Sequence, residues 1–259
     1  NGRPVRSNED LTAAIQTAGG APLTVVYRRS GARHTATLTP TADENGHYKA
    51  GVWVRDSGAG IGTMSFVDPH RGTFAGLGHS ISDADTGADL TLLSGEIVPV
   101  TITGCIRGAA GSPGELRGEF AAAPAGTVLA NDAAGVYGSY TGSCTAPALP
   151  VANLQEVTPG EAELWTTVLG TTAQPYTIQV ERVTMTGSDP NRNLLIRVTD
   201  KRLLDATGGV VQGMSGSPIV QNGRLAAVLT HVLVNDPSRG YAIFATTMLE
   251  KADTVASSK

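Results

Sequence analysis

The chain has 259 residues, 41% of them apolar and only 16% charged, enough to bury a sizeable core. Its formal net charge is −4 and it has no basic run, which argues against nucleic acid and anionic membrane surfaces as partners. No apolar stretch approaches the roughly 20 residues that span a bilayer. The segment opens abruptly and without a signal peptide, as a chain parted from a leader or an anchor would. Glycine numbers 32 and proline 14, and they punctuate many short apolar runs, the signature of an all-β body.

In chain order, a short turn at "NGRPV" comes first, then "SNEDLTAAIQTAG". Here Ser7 suits an N-cap, Glu9 and Asp10 suit the first helical turn, and Leu11 and Ile15 share a face. Gly19 and Gly20 end that helix. "PLTVVYRR" and "HTATLTP" then alternate as two strands about an "SGAR" turn. Residues 42–51 read as a polar linker. "GIGTMSFVDPHRGTFAGLG" reads as a hairpin with Asp68–Gly72 at its tip. Further strand-like runs are expected at 95–107, 115–120, 127–130, 151–157, 163–169, 176–185, 193–199, 217–221, 224–233 and 241–245. "TTMLEKADTVA" reads as a terminal helix packed on the body. Cys105 and Cys144 lie outside any CxxC or Cys/His cluster, so no zinc site is expected. Whether they are bridged, which would place the protein outside the cytosol, is left open.

"QGMSGSP" at 212–218 carries the chemistry. A serine nucleophile needs a base, a group that orients the base, and donors for the oxyanion. Lacking a β-carbon, Gly213 can turn its N–H toward the point that the Ser215 N–H faces. Ser217 is the rival hydroxyl. A glycine-serine loop is also what an ordinary turn before a strand looks like, so the base decides. His34 and His47 read as solvent-facing, His70 as a hairpin tip, and His231 as a core or pocket-wall residue after "LAAVLT". His79 closes "FAGLGH", where Gly76 and Gly78 leave space beside its ring.

"FAGLGHSISDADTG" and "VTDKRLLDATGGVVQGMSGSPIVQNGRLAAVLTHVLVNDPSRGYAIF" resemble the stage IV sporulation protein B (SpoIVB) serine peptidases, and residues 1–41 resemble the second half of a PDZ domain. "GMSGSP" is also similar to the Gly-Asp-Ser-Gly-Gly-Pro loop of chymotrypsin-like enzymes, with Met214 and Ser217 at the departures. Met214 removes the acid that would pair with a freed N-terminus. The resemblance implies an all-β, trypsin/chymotrypsin-like double β-barrel at 52–259, preceded by a partial PDZ domain (1–41) and the linker. It implies Ser215 as nucleophile, His79 as base and Asp200 as acid, with Gly213 and Ser215 supplying the oxyanion N–H groups. Asp132 is the alternative acid, because in most chymotrypsin-like enzymes the first barrel supplies it. Asp83 and Asp85 sit too near His79 along the chain to come first.

No cofactor and no metal are called for. The implied substrates are protein: the chain itself and a membrane-bound regulator whose cleavage activates a late sigma-factor precursor. The implied location is the space between forespore and mother cell. Gly208, Gly209, Thr230 and His231 are the expected pocket walls, and no buried acid indicates Lys/Arg preference. An incomplete PDZ half would expose sheet edges and invite self-association, and without its carboxylate-binding loop it is not expected to bind peptides. The alternative of another class is a PDZ-linked binding or scaffold module without catalysis. An α/β-type acyl hydrolase is discounted, since "GMSGS" lacks the closing glycine and leads into a strand.

Overall fold

The computed structural model describes residues 1–257 except 84 and 188. It divides into two compact units, Asn1–Ala59 and Gly60–Lys259.

In the first unit, helix α1 (Asn8–Ala18) begins where the Ser7 side chain accepts the Asp10 N–H, and ends at left-handed Gly19. Strands β1 (Leu23–Arg29) and β2 (Ala32–Leu38) pair antiparallel around Ser30-Gly31, both at positive φ. That is the turn whose twist matches the flanking strands. The stretch read as a linker carries a short ladder between β3 (Thr41–Ala42) and β4 (Tyr48–Lys49). Asp43 holds it closed by accepting the Asn45 and His47 N–H groups and pairing with Lys49. The chain then returns along α1, where the Gln16 amide bonds both ways to the Tyr48 backbone and Asn8 donates twice to Asp56.

The second unit is β-rich in two parts. The first part is a five-stranded half-barrel in the order β5-β6-β11-β10-β7, with β5 at Met64–Asp68, β6 at Thr73–Gly76 and β7 at Glu96–Ile97. β8 (Val100–Ile106) and β9 (Glu115–Phe120) form a separate ladder, and β10 (Gly126–Asp132) and β11 (Gly135–Tyr140) complete the sheet. The second part is a closed barrel in the order β12-β13-β14-β17-β16-β15. Its strands are β12 (Gly160–Thr166), β13 (Gln174–Val183), β14 (Leu194–Val198), β15 (Pro218–Gln221), β16 (Arg224–Val232) and β17 (Arg239–Phe244). Leu164, Ile178, Val180, Leu194, Ile196 and Ile219 are fully buried and fill the interior, each alternating along its strand with less buried residues. The barrel-based all-β class is thus as expected, with closure complete only in the second barrel.

Helix α2 (Lys201–Thr207) follows β14, and α3 (Ala245–Ser257) follows β17. The α3 residues Met248 and Ala252 are buried in one cluster with Ala75 and Tyr137 of the half-barrel and Val228 and Ile243 of the barrel. The terminal helix therefore packs as expected and gives the two parts a common core. Residues 151–157 are no strand: Leu154–Glu156 is a 3-10 turn, closed by reciprocal bonds between Asn153 and Glu156. Both cysteines are free thiols, Cys105 half-buried on β8 and Cys144 exposed.

Candidate active site

The loop between α2 and β15 is shaped by two glycines. Gly213 and Gly216 have φ of 95° and 96°, which side chains with a β-carbon rarely adopt. Between them Met214 is wholly buried and pins the loop to the barrel core. Its N–H bonds to the Val211 carbonyl, the Gly216 N–H to Leu229, and the Ser217 N–H to Met214. Among the described residues the N–H groups of Gly213 and Ser215 have no protein acceptor. Two backbone donors beside a serine, left unspent, are the elements of an oxyanion site.

The two candidate hydroxyls have different surroundings. Ser217 is fully buried, and its Oγ donates to Thr166 Oγ1 at 3.0 Å, so it serves the core. Ser215 Oγ donates to the Thr230 carbonyl at 2.7 Å. Thr230 is the extra residue of a β-bulge: Leu229 pairs with Ala242 and His231 with Tyr241, leaving Thr230 unmatched in the ladder. A bulge redirects the chain locally, and here it turns a carbonyl toward the serine.

His79 follows β6 after two residues in left-handed conformation, Leu77 at φ 68° and Gly78 at φ 70°. A left-handed leucine costs about 1–2 kcal/mol, a strain that the surroundings must hold. They do so through Thr63, whose carbonyl accepts the Leu77 N–H and whose own N–H donates to the Ser215 carbonyl at 2.8 Å. Gly78 suits this place, since its φ is left-handed and a Cβ there would crowd Thr230 Cγ2 at 3.0 Å and Ile243 Cγ2 at 3.1 Å. The segments bearing Ser215 and His79 therefore converge, with Thr63 and Thr230 between them.

His79 Nδ1 lies 2.7 Å from the Ser80 carbonyl. A carbonyl only accepts, so Nδ1 is the donor of this contact, and in the neutral form of the ring Nε2 is the nitrogen left with a lone pair. One further ring flanks it: His231, 4.9 Å away between centroids and tilted by 34°. Among the described residues no hydrogen bond joins Ser215 to His79; the serine hydroxyl is held by Thr230 instead.

Part of the His231 ring is open to solvent, and the rest is enclosed. Desolvation, then the neighbouring His79, then Arg192, bring its pKa down to about 4, against a smaller upward pull from Asp189. The unfolded chain, with imidazole near 6.5, takes up that proton first. The stability contribution of neutral His231 is therefore complete above about pH 6.5 and is lost as pH falls toward 4. Urea unfolding at pH 7 and pH 5 is expected to show a smaller acid loss in His231→Phe than in the parent.

The candidate acids lie elsewhere. Asp200 caps α2: it accepts the Arg202 N–H at 2.8 Å and the Thr177 N–H at 3.3 Å, and pairs with the Arg202 guanidinium at 2.7 Å. Arg202 brings its pKa down to about 2, against desolvation, so the carboxyl is ionised from mildly acidic pH upward. Asp132 accepts the Ala134 N–H and pairs with Lys251 of α3. Neither bonds to an imidazole among the described residues. Asp83 accepts the N–H groups of Asp85 and Thr86 within its own turn. Sequence reasoning passed over Asp89, which accepts the hydroxyls of Ser80 and Ser82 and so steadies the residue that holds His79 Nδ1. It also passed over Thr63, whose contribution is mostly backbone and leaves no mark in its residue type.

Of the expected pocket walls, Gly208 and Gly209 are places of close approach. A Cβ would meet the Gly108 carbonyl at 2.3 Å and the Pro237 carbonyl at 2.2 Å, respectively, so these glycines open no cavity. The Thr230 hydroxyl is taken up by the Asn191 and Tyr241 carbonyls. His231 lies exposed on β16 with its ring beside that of His79.

Among curated proteins none matches the chain. Solved structures similar to it include the inactive form of the Rv3671c protease (17% identity, 54% of this chain and 72% of that one, TM-score 0.37). The active form of that protease from M. tuberculosis is 17% identical over 61% of this chain and 80% of that one, with a TM-score of 0.36. An HtrA-type protease, AlgW with decapeptide, is 12% identical over 95% of this chain and 67% of that one, with a TM-score of 0.44. The SpoIVB peptidase S55 family matches residues 46–249, most of the chain, and the protein belongs to that family: it is a serine peptidase.

Proposed function

We propose that Ser215 is the nucleophile and His79 the general base of this peptidase. The observation that carries the reading is the convergence, through Thr63 and Thr230, of the segment bearing a serine hydroxyl and two unspent backbone N–H groups with the segment bearing an imidazole held at Nδ1. On substrate binding, Ser215 Oγ–H leaves the Thr230 carbonyl and turns to His79 Nε2. Oγ bonds to the scissile carbon as its proton passes to the imidazole, and the N–H groups of Gly213 and Ser215 meet the oxyanion. His79 returns the proton to the leaving amine, and water repeats the sequence on the acyl-enzyme.

The third role is assigned to Asp200 by the resemblance and is tested directly. Asp200→Asn and Asp132→Asn are compared with the parent by fluorophosphonate labelling and by urea unfolding. An acid that orients His79 loses roughly 10⁴-fold in rate when made an amide. A carboxylate that only caps a helix is replaced by an amide that caps about as well, so the rate stays in place and stability changes little. In Ser215→Ala and His79→Ala the label on residue 215 is expected to vanish. Absence of label on the parent would favour the scaffold reading, which the Ser215–Thr230 bond also fits.

Family membership further supports a sporulation role: cleavage of the chain itself and of a membrane-bound regulator, in the space between forespore and mother cell, leading to activation of a late sigma-factor precursor. The helix and hairpin of the first unit have the order of a PDZ second half, and we assign them that origin. Sporulating cells carrying Ser215→Ala are expected to accumulate the unprocessed precursor, and normal processing would refute the role.

A further inference from the structure

We propose that His231 is a positioning residue for His79, a second ring that fixes the plane of the base for proton transfer. The proposal rests on the reading of His79 as the base. One hydrogen bond, Nδ1 to the Ser80 carbonyl, settles where the proton sits but lets the ring pivot about that contact. The packed ring of His231, 4.9 Å away, removes the pivot.

His231 is itself firmly placed. It is the residue after the Thr230 bulge and pairs with Tyr241 of β17. The Thr230 hydroxyl ties the same strand to the carbonyls of Tyr241 and Asn191. The groups that bear on the His231 ring are His79, Arg192 and Asp189, with Arg192 also lying over the Tyr241 ring. Desolvation and the neighbouring His79 hold the His231 pKa down to about 4, so the ring is neutral at neutral pH. That matters because the base becomes an imidazolium once it has taken the serine proton. A neutral aromatic ring beside a cation attracts it, whereas a second cation would repel it. A lysine or an ordinarily titrating histidine in this place would oppose the step that His79 has to make.

The test compares the parent, His231→Phe, His231→Ala and His79→Ala. Labelling by a fluorophosphonate over a range of concentrations gives kinact and KI, and imidazole ¹⁵N NMR reports the His79 tautomer without any need for turnover. Misplacement of a base by an ångström costs about 100-fold, so His231→Ala is expected to lower kinact by about 10- to 100-fold with KI little changed. His231→Phe keeps a ring face and is expected to retain kinact to within about 3-fold, since stacking and not a ring nitrogen is required. The Nδ1-protonated signature of His79 is expected in the parent and in both His231 variants, and ¹³C relaxation of the His79 ring is expected to show greater ring motion in the Ala variant than in the parent or the Phe variant. Three results would overturn the proposal: an Ala variant as fast as the parent, a change confined to KI, or a Phe variant as slow as Ala. If His79→Ala labels as fast as the parent, the reading of His79 as base falls. The NMR comparison then still decides whether His231 holds that ring.

Discussion

Ser215→Ala is expected to lower peptide cleavage by roughly 10⁶-fold in kcat, the scale on which a serine peptidase loses its nucleophile. The fold is expected to survive, because the Ser215 hydroxyl makes a single hydrogen bond, to the Thr230 carbonyl, worth about 1 kcal/mol. Ser217→Ala is the opposite case. That hydroxyl is sealed in the core against Thr166, so its removal leaves a buried partner short and costs about 1–3 kcal/mol, with catalysis retained. Urea unfolding and a cleavage assay on both variants separate the two serines. Cleavage lost in Ser217→Ala and kept in Ser215→Ala would reverse the assignment.

Gly216→Ala is expected to be strongly destabilising. The added Cβ would lie 1.9 Å from the Thr63 carbonyl oxygen and 2.7 Å from the Leu77 N, both backbone atoms that cannot swing aside. The φ of 96° adds conformational strain to the clash. A loss above about 4 kcal/mol is expected, in the range reserved for strain and packing failures of this kind. Gly223→Ala is the control. It too has a positive φ, 72°, but nothing lies within 4 Å of its Cβ position, so only the left-handed cost of about 1–2 kcal/mol applies. Unfolding midpoints that rank Gly223→Ala as the worse variant would show the packing argument to be wrong. Activity is expected to fall with Gly216→Ala even where the fold persists, because Thr63 cannot move without shifting both Leu77 and Ser215.

The turn around Ser215 is legible because its geometry is local: Gly213 and Gly216 are needed for φ, and the residue types say so. The glycines before His79 mark a tight place too, but the neighbours a Cβ there would meet are Thr63, Thr230 and Ile243, which residue types alone do not reveal. The surroundings of the acids were not legible either. Asp200 reads equally as a catalytic carboxylate or a cap, and only the seven-residue α2, too short to leave a periodic signal, shows that it caps a helix. Barrel closure was also out of reach, since it depends on which distant strands pair, as β12 does with β15. β11 escaped notice because Gly138 interrupts its apolar run; that glycine is required where a Cβ would come 1.9 Å from the Thr127 carbonyl. The stretch at 151–157 reads as a strand because it is short and rich in apolar residues, while the capping pair of Asn153 and Glu156 bends it into a turn.

Helix α3 carries a consequence for the order in which the protein is made. The strands of the half-barrel and of the barrel can each pair as they leave the ribosome, since their partners lie in the same part of the chain. The residues that give the two parts a common core, Met248 and Ala252, come after all of those strands. The His79 segment is thus synthesised well before, and the Ser215 loop shortly before, the helix that packs on both parts. A nascent chain holds the ingredients of a peptidase without the rigid frame that catalysis needs. The two parts are thus expected to gain their common core only once the last strand, β17, and α3 directly after it have been made.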